Sequence, residues 1–183
     1  MTLFPVTSAI SPFSDYPPPP GVHWVVLLLT WFALSMLVAV FAPPHYQNLL
    51  NSLIADSWAA YFCLWLRRLN PEAVSFFWCD VYVVVEISYA LILTVPHRSD
   101  ALDTLGAFLA LASAILAIVT IFIIRRELLE HYNRREPIGL DLSGAMTFFF
   151  SFLYFQAKLY PIAKLKKDLA AQAAASSANF KIQ

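Results

Sequence analysis

The run Thr104 to Ile124, TLGAFLALASAILAIVTIFII, contains no charged residue and no proline. At about 1.5 Å per residue, a helix of that length crosses the roughly 30 Å of a bilayer's hydrocarbon. Asp100 and Asp103 precede the run, and Arg125 with Arg126 follow it. Acidic groups at the amino end and basic groups at the carboxyl end complement the helix dipole, and they mark two water boundaries. Trp24 to Ala42, WVVLLLTWFALSMLVAVFA, is a second uncharged run; Pro43 and Pro44 end it, and His23 with Trp24 marks its interfacial edge. The rest of the chain agrees: 60% of its 183 residues are hydrophobic and 13% are charged, with a mean hydropathy of +0.64. Soluble domains average about 45–50% apolar and about 25% charged. The expected fold is an all-α, polytopic membrane helical bundle of about four membrane-embedded helices, with a cytoplasmic interfacial or re-entrant aromatic helix beside it.

Val74 to Val95, VSFFWCDVYVVVEISYALILTV, is long enough to span although it carries Asp80 and Glu86, and Pro96 stops it. Gln47 to Leu66 is amphipathic. Helical spacing puts Leu50, Ile54, Trp58, Tyr61 and Trp65 along one side and Asn48, Ser52, Asp56, Ala59 and Cys63 along another. Such a helix either lies in the interface or spans with its polar stripe turned towards the other helices. The Pro43-Pro44 break, followed by a long helical pattern, favours spanning and hence four crossings. The stretch RRELLEHYNRR, Arg125 to Arg135, reads as a helical extension into water, and EPIGLDLSG after it holds the turn formers Pro137, Gly139 and Gly144. Asp141 or Ser143 would cap the next helix, Ala145 to Tyr160, which is dense in Phe148, Phe149, Phe150, Phe152, Tyr154 and Phe155 and short for a span. That helix is expected to stop before Pro161, ahead of Lys164, Lys166, Lys167 and an Ala/Gln/Ser tail that is disordered at its end. In front of the first span, Pro5, Pro12 and Pro17 to Pro20 make a stiff polyproline spacer. The chain therefore divides into a Pro-rich tail (1–22), a transmembrane bundle (23–124), a cytoplasmic helix, turn and aromatic helix (125–163), and a basic then Ala/Ser-rich tail (164–183).

Net charge is zero, so no long-range field draws in nucleic acid, and a nucleic-acid partner is not expected. Met1 to Val22 holds no Lys or Arg, whereas a secretory signal needs a basic start; the first span is expected to be retained. All twelve Lys and Arg residues lie from Arg67 onward. The positive-inside rule puts the loop near residue 70, the segment near residue 130 and the carboxyl terminus in the cytoplasm, with Pro96 to Asp103 on the other side. Four spans then bring the amino terminus to the cytoplasm too.

Glu86 falls near the middle of its span, with Asp80 about 9 Å nearer the cytoplasmic end. A carboxylate at the bilayer centre costs at least about 2.5–3.5 kcal/mol on insertion scales, so such groups face protein or a water-filled cavity. No Lys or Arg lies within a span to pair with Glu86, which leaves hydrogen bonds from neighbouring groups to support it. Ser75, Cys79, Tyr82, Glu86 and Tyr89 alternate four- and three-residue spacings and form one polar stripe. The candidate intramembrane polar site is therefore Glu86, Asp80, Tyr82, Tyr89 and Asp56, read either as a proton or ion path or as a buried seam between helices. On the next span Gly106, Ala110, Ala114 and Ala117 form the expected helix-packing face. Cys63 and Cys79 have no second Cys or His at metal-ligand spacing and read as packing residues. Glu127, Glu130 and His131 share a helix face that solvation explains better than a metal. His23, His45 and His97 lie outside the apolar runs, so no mid-membrane pair is placed to ligate haem. No phosphate loop, nucleophile elbow, zinc helix or Ser/His/Asp arrangement occurs; no catalytic residue, metal or cofactor is expected.

The stretch Glu130 to Gln156, EHYNRREPIGLDLSGAMTFFFSFLYFQ, resembles a segment that recurs in small bacterial multi-span inner-membrane proteins of no known activity, and Trp65 to Pro71, WLRRLNP, extends the likeness. The resemblance implies a bacterial inner-membrane location and carries over no catalytic or ligand residue. The expected function is that of a non-enzymatic accessory or scaffold subunit in the lipid bilayer, packing through its helices against itself or other membrane protein subunits. The alternative is a small ion- or proton-coupled transporter or channel using Glu86.

Overall fold

Over its described residues the chain forms five helices, four of them long and apolar enough to cross a membrane. The structure is a computed structural model that describes residues 17–136 and 138–180, the side chains of 173 and 176–180 excepted. Pro5, Pro12 and the turn former Pro137 lie outside the described residues. The candidate spans are α1 (Trp24–Phe41), α2 (Pro44–Leu69), α3 (Ser75–Thr94) and α4 (Asp100–Glu130), and α5 (Gly144–Phe180) follows. Short connections at 42–43, 70–74 and 95–99 turn consecutive helices antiparallel.

Each boundary has a local cause. His23 Nδ1 accepts a hydrogen bond from Val25 N at 3.2 Å and caps α1. Pro43 forces Ala42 out of helical geometry, and Pro44 starts α2 at a position where a missing N–H costs nothing. Gln47 Nε2 then donates to Ala39 O and Ala42 O, both at 3.2 Å, satisfying carbonyls that the end of α1 leaves open. Ser99 caps α4, with Asp100 and Asp103 in the first turn.

α2 is long and apolar enough to cross a membrane and turns its polar stripe inward. Asp56, Ala59 and Cys63 from that stripe are buried, while Leu53 and Tyr61 face outward; Trp65, expected on the apolar side with Tyr61, is buried as well. Arg67, Arg68, Arg125 and the α5 lysines gather at the end where α2 and α4 finish, and residues 17–22 lie at that same end. Trp65 Nε1 donates to Pro18 O at 3.0 Å, and Gln156 Nε2 donates to Pro20 O at 2.6 Å. Residues 17–22 and the first half of α5 therefore share the basic face of the bundle.

Two expectations for this face are corrected. The 31 residues of α4 make a rod of about 46 Å, longer than the hydrocarbon, and a π turn over His131–Arg135 prolongs it. Only one face of this extension is solvated, at Arg126, Glu130 and Asn133 to Arg135; on the other, Leu128, His131 and Tyr132 are buried, because Leu140, Leu142, Phe155 and Leu159 fold back over them. Nor does Pro161 end the aromatic helix. A mid-helix proline costs about 3 kcal/mol, but Leu159, Ile162 and Ala163 are buried on both sides of it, and Lys166 is anchored to Glu136. The break falls instead at Ser151, whose φ of 45° and ψ of −124° leave helical geometry.

Candidate functional site

α2 and α3 each carry one carboxylate near the midpoint, and the bundle treats the two differently. Glu86 Oε1 accepts a hydrogen bond from Ser52 Oγ of α2 at 3.1 Å, and Oε2 accepts one from Ser113 Oγ of α4. One side chain thus ties three helices together near the middle of α3. Lower on the same seam, Thr120 Oγ1 donates to Trp78 O at 3.3 Å. Ser113 and Thr120, seven residues apart, set the face that α4 turns inward, together with buried Gly106, Ile124 and Leu128. The small-residue stripe is turned only partly into the bundle. A Cβ on Gly106 would stand 3.5 Å from Ile92, so that approach is close, but Ala114 is exposed and Ala110 and Ala117 are only part-buried. The two hydroxyls have stronger interhelical partners than the alanines, and they choose the rotation.

Asp56 sits one turn along α2 from Ser52, towards the basic face. It is nearly inaccessible at 4% exposure, and Tyr82 of α3 lies beside it. One of its oxygens, Oδ2, is enclosed and has no hydrogen-bond partner among the described residues. Asp56 is part of the wall of a cavity of about 520 Å³ ringed by Leu27, Thr30, Trp31 and Leu34 of α1, residues 54–59 of α2, Tyr82, Ala117, Thr120 and Ile121 of α4, and residues 150–153 of α5. Trp31, Leu34 and Phe150 line the space and are themselves half-exposed, so it opens sideways, in the direction of the lipid. The break at Ser151 shapes the wall. A non-glycine residue at positive φ is strained by about 1–3 kcal/mol, and the turn it makes leaves both Phe150 and Phe152 on the cavity.

The remaining candidates scatter. Asp80 is exposed and stands apart from the seam, and Tyr89 is part-exposed further along α3. Cys63 and Cys79 are buried and free, with their thiols in contact between α2 and α3. Glu127 does not face water: its Oε1 accepts from Val74 N at 2.7 Å and Ser75 N at 3.0 Å, capping the amino end of α3 from another helix. Below it, buried Glu136 meets Lys166 Nζ at 2.5 Å and His131 Nε2 at 3.4 Å. No group of three or more His, Cys, Asp or Glu able to hold a metal ion occurs among the described residues. Of the residues that shape the site, sequence reading assigned no site role to Ser52, Ser113, Trp31, Trp58 or Phe150. The polar stripe on α2 held the signal for Ser52, and an isolated hydroxyl in an apolar span held it for Ser113.

No family model matches the chain, and no curated protein or solved structure is similar to it. The reading of function therefore rests on the site.

Proposed function

We propose that this chain is a non-enzymatic, multi-pass membrane protein that binds a small, largely apolar molecule within the bilayer, in the cavity around Asp56. The observation that carries this reading is a single one: Asp56, a buried carboxylate with an unpartnered oxygen, stands in the wall of a laterally open space of about 520 Å³ that is otherwise lined by uncharged residues. Cavities of roughly 300–1,000 Å³ with apolar walls and a few polar groups are the usual form of a small-molecule site. The transport alternative moves with it, from Glu86 to Asp56, because both Glu86 oxygens are already engaged by serines. The positive-inside rule and the resemblance of residues 130–156 favour a bacterial inner membrane with the basic face in the cytoplasm.

Native mass spectrometry of the protein released from nanodiscs tests the reading. A small-molecule adduct is expected on the wild type and on Val84→Phe, which alters a lipid-facing site, and is expected to be lost from Ala117→Phe, which fills the cavity. Equal adduct on Ala117→Phe, or none on any of the three, would sink it.

A second reading, an accessory or scaffold subunit, is favoured by α1. None of its residues is buried, although it contacts α2 and α5, so nearly its whole apolar surface is open to a second copy or another membrane protein. A lone monomer in gentle detergent that crosslinks to nothing in the membrane would remove this reading.

A further inference from the structure

We infer that the molecule the cavity takes is a lipophilic organic cation, an amine or onium group on an apolar body. The inference rests on the cavity reading above and adds the sign of the ligand's charge. Asp56 is the one charged side chain on the cavity wall among the described residues; no Lys, Arg or His borders it. Its other polar groups, on Thr30, Ser57, Trp58, Tyr82, Thr120 and Ser151, are neutral. Glu86, outside the wall, is also acidic and lies close enough to act on Asp56. An anionic headgroup would meet repulsion and no counter-charge. A neutral ligand would leave the carboxylate without a counter-charge in a low-dielectric layer. A cation in the cavity offsets that charge.

The walls select the same class. Trp31, Trp58, Tyr82, Phe150 and Phe152 present ring faces, and a cation within about 6 Å of such a face is attracted by the ring quadrupole, most strongly where water is absent. A bare metal ion fits badly: hard cations take about six or more oxygen ligands, and this space offers one carboxylate, Asp56, amid mostly apolar walls. The lateral opening gives a membrane-partitioned cation a path that never leaves the lipid.

Equilibrium dialysis of the purified full chain in mild detergent, with empty micelles as the blank, decides it. The probes are tetraphenylphosphonium, tetraphenylborate and tetraphenylsilane, which share a shape and differ in charge. Saturable binding is expected for the phosphonium alone, with Asp56→Asn weakening it by about thirtyfold or more. Borate or silane binding as tightly as phosphonium on the wild type, or phosphonium affinity unchanged in Asp56→Asn, overturns the charge assignment and leaves the cavity reading standing. Saturable binding of none of the three overturns both. The three probes are compared on the wild type, so the preferred sign of charge is measured whether or not the variant folds.

Discussion

Lys166→Met is expected to unfold at a markedly lower denaturant level than the wild type, by about 3–5 kcal/mol of stability. Lys166 Nζ lies 2.5 Å from Glu136 Oε1, and the two side chains are 6% and 0% exposed. Removing the ammonium leaves a carboxylate at 0% exposure, faced by His131 Nε2 at 3.4 Å. The cost comes from the charge left behind, more than from the net worth of the pair. Adding Glu136→Gln to Lys166→Met is therefore expected to recover most of the loss, and the double-mutant cycle measures the coupling. The pair also holds the part of α5 beyond Pro161, so trypsin should cut faster after exposed Lys164 and Lys167 in the single variant. Unfolding in mixed detergent micelles gives the stability, and an unchanged midpoint in Lys166→Met would refute the assignment of that cost to the stranded carboxylate.

The spans were readable because lipid imposes a simple length rule, and prolines at 43, 44 and 96 punctuate the chain where the helices turn. The inward polar stripe of α2 was readable from spacing, although the choice between lying in the interface and crossing needed the partners that receive Asp56 and Ser52. What sequence could not supply was rotation and long-range contact. Ala114 and Ser113 are adjacent, and only the carboxylate of Glu86 on another helix tells which of them faces in. Glu127 and His131 have the spacing of a solvated face; their burial depends on a stretch of chain that returns to the same end of the bundle. Pro161 carries a strong local stop signal that buried neighbours on both sides override. The site was half visible. Asp56, Tyr82 and Glu86 were candidates from their place in apolar runs, but that Glu86 is a clamp while Asp56 keeps an unpartnered oxygen follows from which hydroxyls happen to reach each one.

The second large effect concerns the wall of the cavity that α5 supplies. Phe62 of α2 is 0% exposed and stacks at 6.1 Å on Phe155, with Phe152 at 5.9 Å and Trp65 at 5.3 Å. Phe62→Ala is expected to cost about 3 kcal/mol, the low end of the range for burying an alanine in place of a phenylalanine. The low end applies because lipid tails already solvate apolar groups; what is lost is dispersion and aromatic pairing across a space that α5 cannot collapse to fill. The neighbouring hydrogen bonds of Trp65 and Gln156 to residues 18–22 are not enough to hold that register alone. Phe62 does not line the cavity, but Phe152 does, so the variant should also weaken retention of the bound molecule. Phe62→Leu, which keeps most of the volume, is expected to fall between wild type and alanine in both measurements. If Phe62→Ala lowers the unfolding midpoint while ligand retention stays at the wild-type level, the aromatic cluster stabilises the bundle without setting the wall, and α5 is held at the cavity by the break at Ser151 and its contacts with α1.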